Sequence, residues 1–352
     1  MLALIRREFI ERRKLINDEE LATGVAMGQM LPGPFVSNYA EFIGFKLHGI
    51  KGMVVAAVAL LLPSFLLMCL AGFLYFRYGT FPIIEKVFQG IQPVVVGILA
   101  WATWSIGRAN IKNWRTALIA LIAAVALFLK GDVLLVVLGC GVLGIVLSRN
   151  WSKKEKNTLS AILPYFLLLG KNAELTPVSL ISRAGELALV FFKMGTVIFG
   201  GGFAAIPFLY QEVVTLRGWL TAKEFVDAVA LGQMTPGPVA IMSAFIGYRV
   251  MGVMGALIAT IGTFVPSALM LLVLISAYNR VQNSPLIRSF LGGVLPAVCG
   301  MLLTSTVFLA RNAITAPIPV LIAVSTLILL LRFRIEPIFL IIAGAILGLV
   351  LP

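Results

Sequence analysis

The sequence predicts an all-α, polytopic membrane protein built from two inverted-topology repeats. Of its 352 residues, 60% are hydrophobic and only 12% are charged, whereas a soluble globular domain is about 45–50% apolar and about 25% charged. Many apolar runs approach the ~20 residues that a membrane-crossing helix needs, and the two halves of the sequence are alike. This composition excludes an ordinary soluble enzyme, a disordered chain and a nucleic-acid-binding domain, although the net charge is +13.

Apolar stretches predict about nine membrane crossings. Two further stretches, 19–48 and 222–250, are long enough to cross once, but Pro-Gly-Pro interrupts them at 32–34 and at 236–238. The prolines remove backbone donors and bar a continuous helix, and each arm of about a dozen residues is too short to span at ~1.5 Å per residue. We therefore expect two re-entrant helical hairpins made of broken helices. The expected crossings are 51–76, 87–107, 116–130, 132–148, 185–210, 252–278, 290–310, 316–331 and 335–351.

The positive charges favour one orientation. When the N-terminus lies inside and both hairpins return to the side they entered, most of the 28 Lys and Arg residues fall in inside loops, in agreement with the positive-inside rule. The first hairpin then enters from inside and the second from outside, so the repeats have inverted topology, as in many secondary transporters. Other choices of crossings could also produce a charge bias, so the bias alone does not establish the hairpins.

The two halves are related by duplication. Residues 15–34 align with 219–238 at an offset of 204, and after one inserted residue the offset becomes 203. Chance can align apolar residues, but not a series of glycines, prolines and an arginine. The matched pairs include Gly49 with Gly252, Pro63-Ser64 with Pro266-Ser267, Pro93 with Pro296 and Arg108 with Arg311. The predicted organisation is a first repeat at 1–148, a basic cytoplasmic linker at 149–183 and a second repeat at 184–352.

The first repeat lacks a segment that the second repeat contains. The second repeat opens with a glycine-broken helix at 185–210, which carries Gly200-Gly201-Gly202. At the offset of 204, the counterpart of this helix would precede Met1. Two interpretations remain open: the native chain lacks this helix, or the reading frame begins too late.

The motifs of the two halves form a specific combination. They are Phe199-Gly200-Gly201-Gly202, Gly232-Gln233-Met234-Thr235-Pro236-Gly237-Pro238 and Phe264-Val265-Pro266-Ser267 in the second half, with Gly28-Gln29-Met30-Leu31-Pro32-Gly33-Pro34 and Leu62-Pro63-Ser64 in the first. Together they resemble the chromate transporter family over nearly the whole chain. The resemblance implies a multi-pass permease of the bacterial or archaeal plasma membrane, which exports chromate by secondary active transport and confers chromate resistance. The expected partners are chromate or a sulfate-like oxyanion and membrane lipid, and a homodimer is left open.

For such a substrate, the interrupted helices are the candidate binding site. A dianion gives up its water only where the protein supplies partners, and a helix N-terminus offers unpaired N–H groups with a partial positive charge. The triple glycine would let backbone amides approach the anion. The alternatives are that it only permits close helix packing and that the Pro-Gly-Pro segments are structural kinks. The candidate substrate-binding residues are Gly200, Gly201, Gly202, Gln233, Pro236, Gly237, Pro238, Gln29, Pro32, Gly33, Pro34 and Lys193.

Several polar side chains have two interpretations each. The amides of Gln29 and Gln233 could donate to oxyanion oxygens or to the neighbouring broken backbone. Lys193 could offset the charge of the substrate or snorkel to the membrane interface. The acidic candidates for proton coupling, which could equally pair with cations, are Glu41, Glu212 and Asp227.

Two rival classes of protein remain. A membrane-embedded enzyme would need a nucleophile–base pair or metal ligands, but the chain has one histidine, His48, three scattered cysteines and no HExxH motif. We therefore expect no catalytic residue, no cofactor and no metal site. The other rival is a non-transporting assembly subunit. No GxxxxGK[ST] motif occurs, so transport would use an ion gradient, a proton gradient or the membrane potential rather than ATP bound by this chain.

Overall fold

The computed structural model of the chain describes residues 6–12, 15–79, 81–147, 180–199, 201–281, 284–314, 316–333 and 335–350. Within these ranges the chain forms helices and no β-strand. The α-helices are α1 Asp18–Met30, α2 Phe35–Tyr78, α3 Pro82–Asn110, α4 Trp114–Phe128, α5 Val133–Leu147, α6 Leu180–Val197, α7 Ala205–Leu209, α8 Ala222–Met234, α9 Met242–Val281, α10 Pro285–Ala313, α11 Pro317–Phe333 and α12 Pro337–Val350. Among the described residues, four stretches are long and apolar enough to cross a membrane, namely α2, α3, Val239–Tyr278 and α10. The chain is therefore an all-α polytopic membrane protein, as predicted.

Helix α1 and the first arm of α2 form a re-entrant hairpin, called hairpin 1. A capping box starts α1, because Asn17 Oδ1 accepts the Glu20 N–H at 2.7 Å and the Glu20 carboxylate accepts the Asn17 N–H at 3.2 Å. The arms run antiparallel, since Lys46 Nζ lies 3.6 Å from the Glu20 carboxylate and Gly24 faces the ring of Phe42. The hairpin predicted over 19–48 is confirmed.

Helix α8 and the chain from Val239 to the middle of α9 form the equivalent hairpin 2. Thr221 caps α8 in the same manner as Asn17 caps α1. At the open end of the hairpin, Arg249 Nε lies 3.9 Å from the Glu224 carboxylate, and near its tip Gly232 faces Met242. The hairpin predicted over 222–250 is therefore also confirmed.

The stretch 185–210, which the sequence predicted to cross the membrane, instead folds back on itself. Arg217 Nε lies 2.7 Å from Glu186 Oε1, whereas a continuous helix would place these residues about 45 Å apart at 1.5 Å per residue. Helix α6 runs into the molecule, and the chain reverses direction beyond Val197. Helix α7 and the π-helical turn Tyr210–Leu216 then run back to the end from which α6 started. The predicted crossing is wrong, because apolar length alone does not distinguish a helix that crosses from one that returns. We call the segment Leu180–Leu216 hairpin 3.

The two halves share local conformation at the offset that the sequence alignment gave. Helix α2 kinks at His48 (φ −144°, ψ 27°) and Gly49 (φ 60°, ψ −147°), and α9 kinks at Met251 (φ −144°, ψ 27°) and Gly252 (φ 61°, ψ −148°). The π-helical turns Arg6–Arg12 and Tyr210–Leu216 also correspond. The predicted linker, 149–183, lies outside the described residues up to 179, so the boundaries drawn through it stay a prediction.

Contacts between the halves come in reciprocal pairs. Gly97 of α3 packs against Ala323 of α11, and its counterpart Gly300 of α10 packs against Ala120 of α4, the counterpart of Ala323. Such exchange is the signature of a twofold relationship. The repeats therefore interlock about a pseudo-twofold axis rather than standing side by side.

The second arm of α2, after the kink at Gly49, fixes the relative direction of the hairpins. It starts at the open end of hairpin 1 and passes the tip of hairpin 2, where Ser64 meets Gly237. Just beyond its end, Glu85 at the start of α3 lies 2.8 Å from Lys223 at the open end of hairpin 2. This arm is about 43 Å long at 1.5 Å per residue, so hairpins 1 and 2 enter from opposite ends of the molecule. Their inverted arrangement agrees with the sequence prediction.

Packing separates the apolar side chains into interior and lipid-facing sets. Hairpin 1 buries Phe42 and Ile43 against Leu271 and Leu274 of α9. In contrast, the second arm of α2 exposes apolar side chains along its length, for example Val55 at 67%. Exposed apolar surface of this extent is expected where lipid, not water, surrounds a helix.

Candidate functional site

The tips of all three hairpins meet in the middle of the molecule. At the tip of hairpin 1, the Gly33 N–H donates to the Ile198 carbonyl at the break of hairpin 3, at 2.5 Å. In the same break, Gly202 packs against Val239 at the tip of hairpin 2. The three interruptions that were predicted from glycines and prolines are therefore brought together.

Gly201 occupies a conformation that only glycine adopts readily. Its backbone has φ 94° and ψ −176°, a region that L-residues avoid at a cost of about 1–3 kcal/mol. A Cβ at this position would also collide with the ring of Phe35 in hairpin 1. Backbone conformation and space thus both require glycine here.

A cavity of about 600 Å³ lies between the hairpin tips. Helix α3 completes its wall with side chains that the sequence analysis did not select, namely Trp101, Ser105 and Asn110. The Gly and Pro motifs did not identify these three side chains of α3 as cavity residues, because their place in the wall depends on how the helices pack together. The predicted site residues that line the cavity are Gln29, Pro34, Gly201, Gly202, Gly237 and Pro238.

The cavity extends toward one face of the molecule. Its wall follows α3 from Trp101 to Asn110, where α3 ends. Because α3 starts beside the open end of hairpin 2, at the Glu85–Lys223 ion pair, Asn110 lies toward the opposite face. The cavity therefore opens on the face from which hairpin 1 enters.

Other predicted site residues lie away from the cavity wall. Gly33 closes the tip of hairpin 1 against Ser267 and the Gly195 carbonyl. Lys193 is half-buried in α6, where its carbonyl accepts from the Thr196 hydroxyl. The predicted residues outside the described cavity lining are Pro32, Gly33, Gln233, Pro236 and Lys193, and Gly200 lies outside the described residues.

Two helix N-termini end at the cavity without a side-chain cap. Pro34 precedes α2 and Pro238 precedes the 3-10 turn Val239–Ile241, and neither proline supplies a capping side-chain hydrogen bond. Phe35 and Val239, the first residues of these helices, both line the cavity. Among the described lining residues none is charged. The cavity thus presents backbone amides and the positive ends of two helices, which suits an anion.

The three acidic candidates have different surroundings. Glu212 pairs with Arg217, which also binds Glu186, so Glu212 belongs to an ion-pair network that closes hairpin 3. Glu41 is fully buried in hairpin 1, and neither of its carboxylate oxygens has a hydrogen-bond partner among the described residues. Asp227 is fully buried in hairpin 2, where it accepts two hydrogen bonds.

Inverted helical hairpins that meet around a central cavity define a membrane transporter of the inverted-repeat class. The family model described as chromate transporter matches residues 1–145 and 185–349. The chain therefore belongs to the chromate transporter family.

Individual relatives agree with the family match. The chain is 34% identical to the "Chromate transport protein" of Cupriavidus metallidurans, over 98% of this chain and 86% of that protein. It is 30% identical to the "Probable chromate transport protein" of Synechococcus elongatus, over 89% and 80% respectively. An uncharacterized transporter of Bacillus subtilis is 37% identical over 47% of this chain but 96% of its own length. No solved structure matches the chain.

Proposed function

We propose that this protein is a secondary active transporter that exports chromate, or a closely related oxyanion, from the cytoplasm across the plasma membrane. The observation that carries the proposal is the meeting of three hairpin tips around a cavity whose described lining has no charged residue and includes two uncapped helix N-termini. Relatives named chromate transport protein support chromate as the substrate. Chromate resistance of the cell would follow from export.

The chemistry of the cavity supports a tetrahedral dianion. Such an ion leaves water only if hydrogen-bond donors replace its hydration shell. The backbone amides of Phe35 and Val239 are neutral hydrogen-bond donors in fixed positions at the wall. The side chains of Gln29, Ser105 and Asn110 add further polar groups to it. A volume of about 600 Å³ is within the range of small-molecule sites. Dipoles of the backbone amides and polar side chains, rather than fixed charges, would hold the dianion, so that it could also dissociate from the site.

The pseudo-twofold axis supports an alternating-access mechanism. In the present state the cavity opens on the face of hairpin 1. Exchange of conformation between the repeats would open an equivalent cavity on the face of hairpin 2. The basic residues that the structure places at the hairpin 1 face include Lys46, Arg108 and Arg115, and the positive-inside rule predicts that this face is cytoplasmic. The present state is therefore the one in which an exporter would load. In this proposal 1–148 and 184–352 are the repeats that exchange conformations, and 149–183 joins them. The surrounding lipid is a partner, and the homodimer stays a prediction.

Uptake of chromate into everted membrane vesicles tests the proposal. Vesicles that contain the protein should accumulate chromate above the level of vesicles without it, and unlabelled sulfate should compete if the two dianions share the site. Accumulation of sulfate without chromate would assign a sulfate transporter instead. If neither anion accumulates although the protein is inserted, the transport function is refuted and a non-transporting subunit is indicated.

A further inference from the structure

Asp227 lies at the centre of a buried hydrogen-bond network that joins the two repeats. Its side chain is fully buried in α8, within hairpin 2. Oδ2 accepts from the Tyr75 hydroxyl at 2.7 Å, and Oδ1 accepts from Gln92 Nε2 at 2.9 Å. Tyr75 belongs to α2 and Gln92 to α3, so both donors come from the first repeat. The carboxylate thus ties hairpin 2 to the opposite half of the molecule.

Duplication does not account for this network, because only one copy carries it. The residues at the equivalent positions of the other repeat are Thr23 for Asp227, Tyr278 for Tyr75 and Leu295 for Gln92. The tyrosine is thus present twice, but its carboxylate and amide partners are present once. A purely architectural contact would be expected to follow the reciprocal pattern of Gly97 and Gly300, which this network does not.

No described cation contacts Asp227 directly. The charged groups that face it are Lys223 and Glu224 on α8 and Glu85 on α3, and Lys223 is bound to Glu85 at 2.8 Å. Arg249 of α9 lies 3.9 Å from Glu224 and over the ring of Phe76. Helix α10 has only Arg288 and Arg311, both exposed, and α12 has no charged residue. An ionised carboxylate with two neutral donors inside a membrane protein is expensive, and uptake of a proton relieves that cost.

A separate cavity leads to Asp227 from the face opposite the oxyanion cavity. It measures about 300 Å³ and is lined by Tyr75, Glu85, Lys223 and Asp227, with Gly79 and Phe88. The exposed Glu85–Lys223 pair stands in this cavity, at the open end of hairpin 2. Asp227 is therefore approached from the hairpin 2 face, whereas the 600 Å³ cavity opens on the hairpin 1 face. The positive-inside rule, applied to the basic residues at the hairpin 1 face, predicts the hairpin 2 face to be outside.

We propose that Asp227 is the proton-binding site of a proton/oxyanion exchanger, with Tyr75 and Gln92 as positioning residues; the proposal rests on the transport function proposed above. When ionised, Asp227 accepts from both donors and holds hairpin 2 to the first repeat. When a proton enters from the hairpin 2 face, the carboxyl group can no longer accept equally from both, and this tie loosens. Because α8 leads directly to the tip at Pro236–Pro238, proton occupancy is transmitted to the wall of the oxyanion cavity. The proton and the oxyanion move in opposite directions.

Two assays in proteoliposomes separate coupling from transport. In the first, a lumen at lower pH than the medium drives accumulation of labelled chromate, and the pH of both compartments is high enough to keep chromate a dianion. In the second, lumen and medium have the same pH, and labelled chromate exchanges for unlabelled chromate with no net proton movement. The proposal expects Asp227→Asn to lose gradient-driven accumulation and to keep exchange, because the amide preserves shape but binds no proton.

Tyr75→Phe provides a second test, in which the measured quantity is the pH profile of transport. A purely structural role of Tyr75 would not shift this profile. Loss of the hydroxyl donor disfavours the ionised carboxylate, so the pH profile of gradient-driven transport should move to higher pH. The matched control is Tyr278→Phe, at the equivalent position of the second repeat, which should leave the profile unchanged.

The possible failures are distinguishable. If wild-type protein exchanges chromate but ignores the pH gradient, or if Asp227→Asn keeps gradient-driven accumulation, the proton site is refuted while the transport function stands. The proton site is likewise refuted if Glu41→Gln, rather than Asp227→Asn, uncouples transport from the gradient. If wild-type protein exchanges no chromate at all, the proposed function itself fails.

Discussion

Gly237, at the tip of hairpin 2, lies against the side chain of Ser64 in the second arm of α2. The reciprocal contact joins Gly33, at the tip of hairpin 1, to Ser267 in α9. Each serine follows a helix-interior proline, and each therefore lies where a helix departs from ideal geometry. Each repeat thus supports the tip that the other repeat contributes to the cavity.

The contact predicts that position 64 tolerates loss of the hydroxyl but not added bulk. The Ser64 hydroxyl is buried without a hydrogen-bond partner among the described residues, so Ser64→Ala should be neutral or slightly stabilising. Ser64→Leu should displace the tip of hairpin 2 and cost about 1–3 kcal/mol through overpacking. Thermal unfolding and the rate of chromate transport measure the two effects. Normal transport by a well-inserted Ser64→Leu variant would show that this contact does not position the tip.

Gly201 predicts a sharper loss of transport. Gly201→Ala should cost about 1–3 kcal/mol through backbone strain alone, and its methyl group would push on Phe35 at the cavity wall. We expect membrane insertion to persist and chromate transport to be lost. The matched control is Gly139→Ala in α5, where an added Cβ meets nothing within 4 Å. If Gly201→Ala and Gly139→Ala transport equally well, the break in hairpin 3 does not shape the site.

The features that the sequence predicted correctly are those encoded by local backbone chemistry. Pro-Gly-Pro interrupts a helix wherever it occurs, so hairpins 1 and 2 could be located from residues 32–34 and 236–238. The glycine break of hairpin 3 was also located, but its direction was not, because the evidence for reversal is the long-range contact of Arg217 with Glu186. Trp101 in the cavity wall escaped detection for the same reason. Positions that depend on packing between repeats have no local signature.

The reversal of hairpin 3 can be tested by cross-linking. In a background without the three native cysteines, Glu186→Cys and Arg217→Cys together should be joined by a short bifunctional thiol reagent, because the native side chains reach each other at 2.7 Å. A continuous crossing helix would hold these positions about 45 Å apart, far beyond the reach of such a reagent. Mass spectrometry after proteolysis reports the linked peptide. The control pair is Glu186→Cys with Gly139→Cys, and a link in the control but not in the test pair would contradict hairpin 3.

Gln29 and Gln233 provide a test of which repeat supplies the amide that faces the oxyanion. They are repeat-related, but only Gln29 lines the cavity of the present state. Gln29→Glu keeps the shape of the side chain and adds a negative charge, and two unit charges about 8 Å apart at an effective dielectric of 20 repel by about 2 kcal/mol. For a dianion the KM of transport should therefore rise at least about tenfold, since 1.4 kcal/mol corresponds to a factor of ten.

Gln233→Glu, the equivalent substitution in the second repeat, is the control for adding a negative charge outside the cavity lining. Gln233 lies outside the cavity lining and its Nε2 is buried without a partner, so Gln233→Glu should lower the yield of folded protein and leave KM close to the wild-type value. Transport rates over a range of chromate concentrations, normalised to the amount of inserted protein, separate the two outcomes. An equal rise of KM in both variants would mean that the repeats contribute symmetrically, and an unchanged KM in Gln29→Glu would remove this amide from the site. Because Coulomb repulsion weakens with distance, the ratio of the two KM values reports which of the two glutamine side chains lies nearer the bound oxyanion.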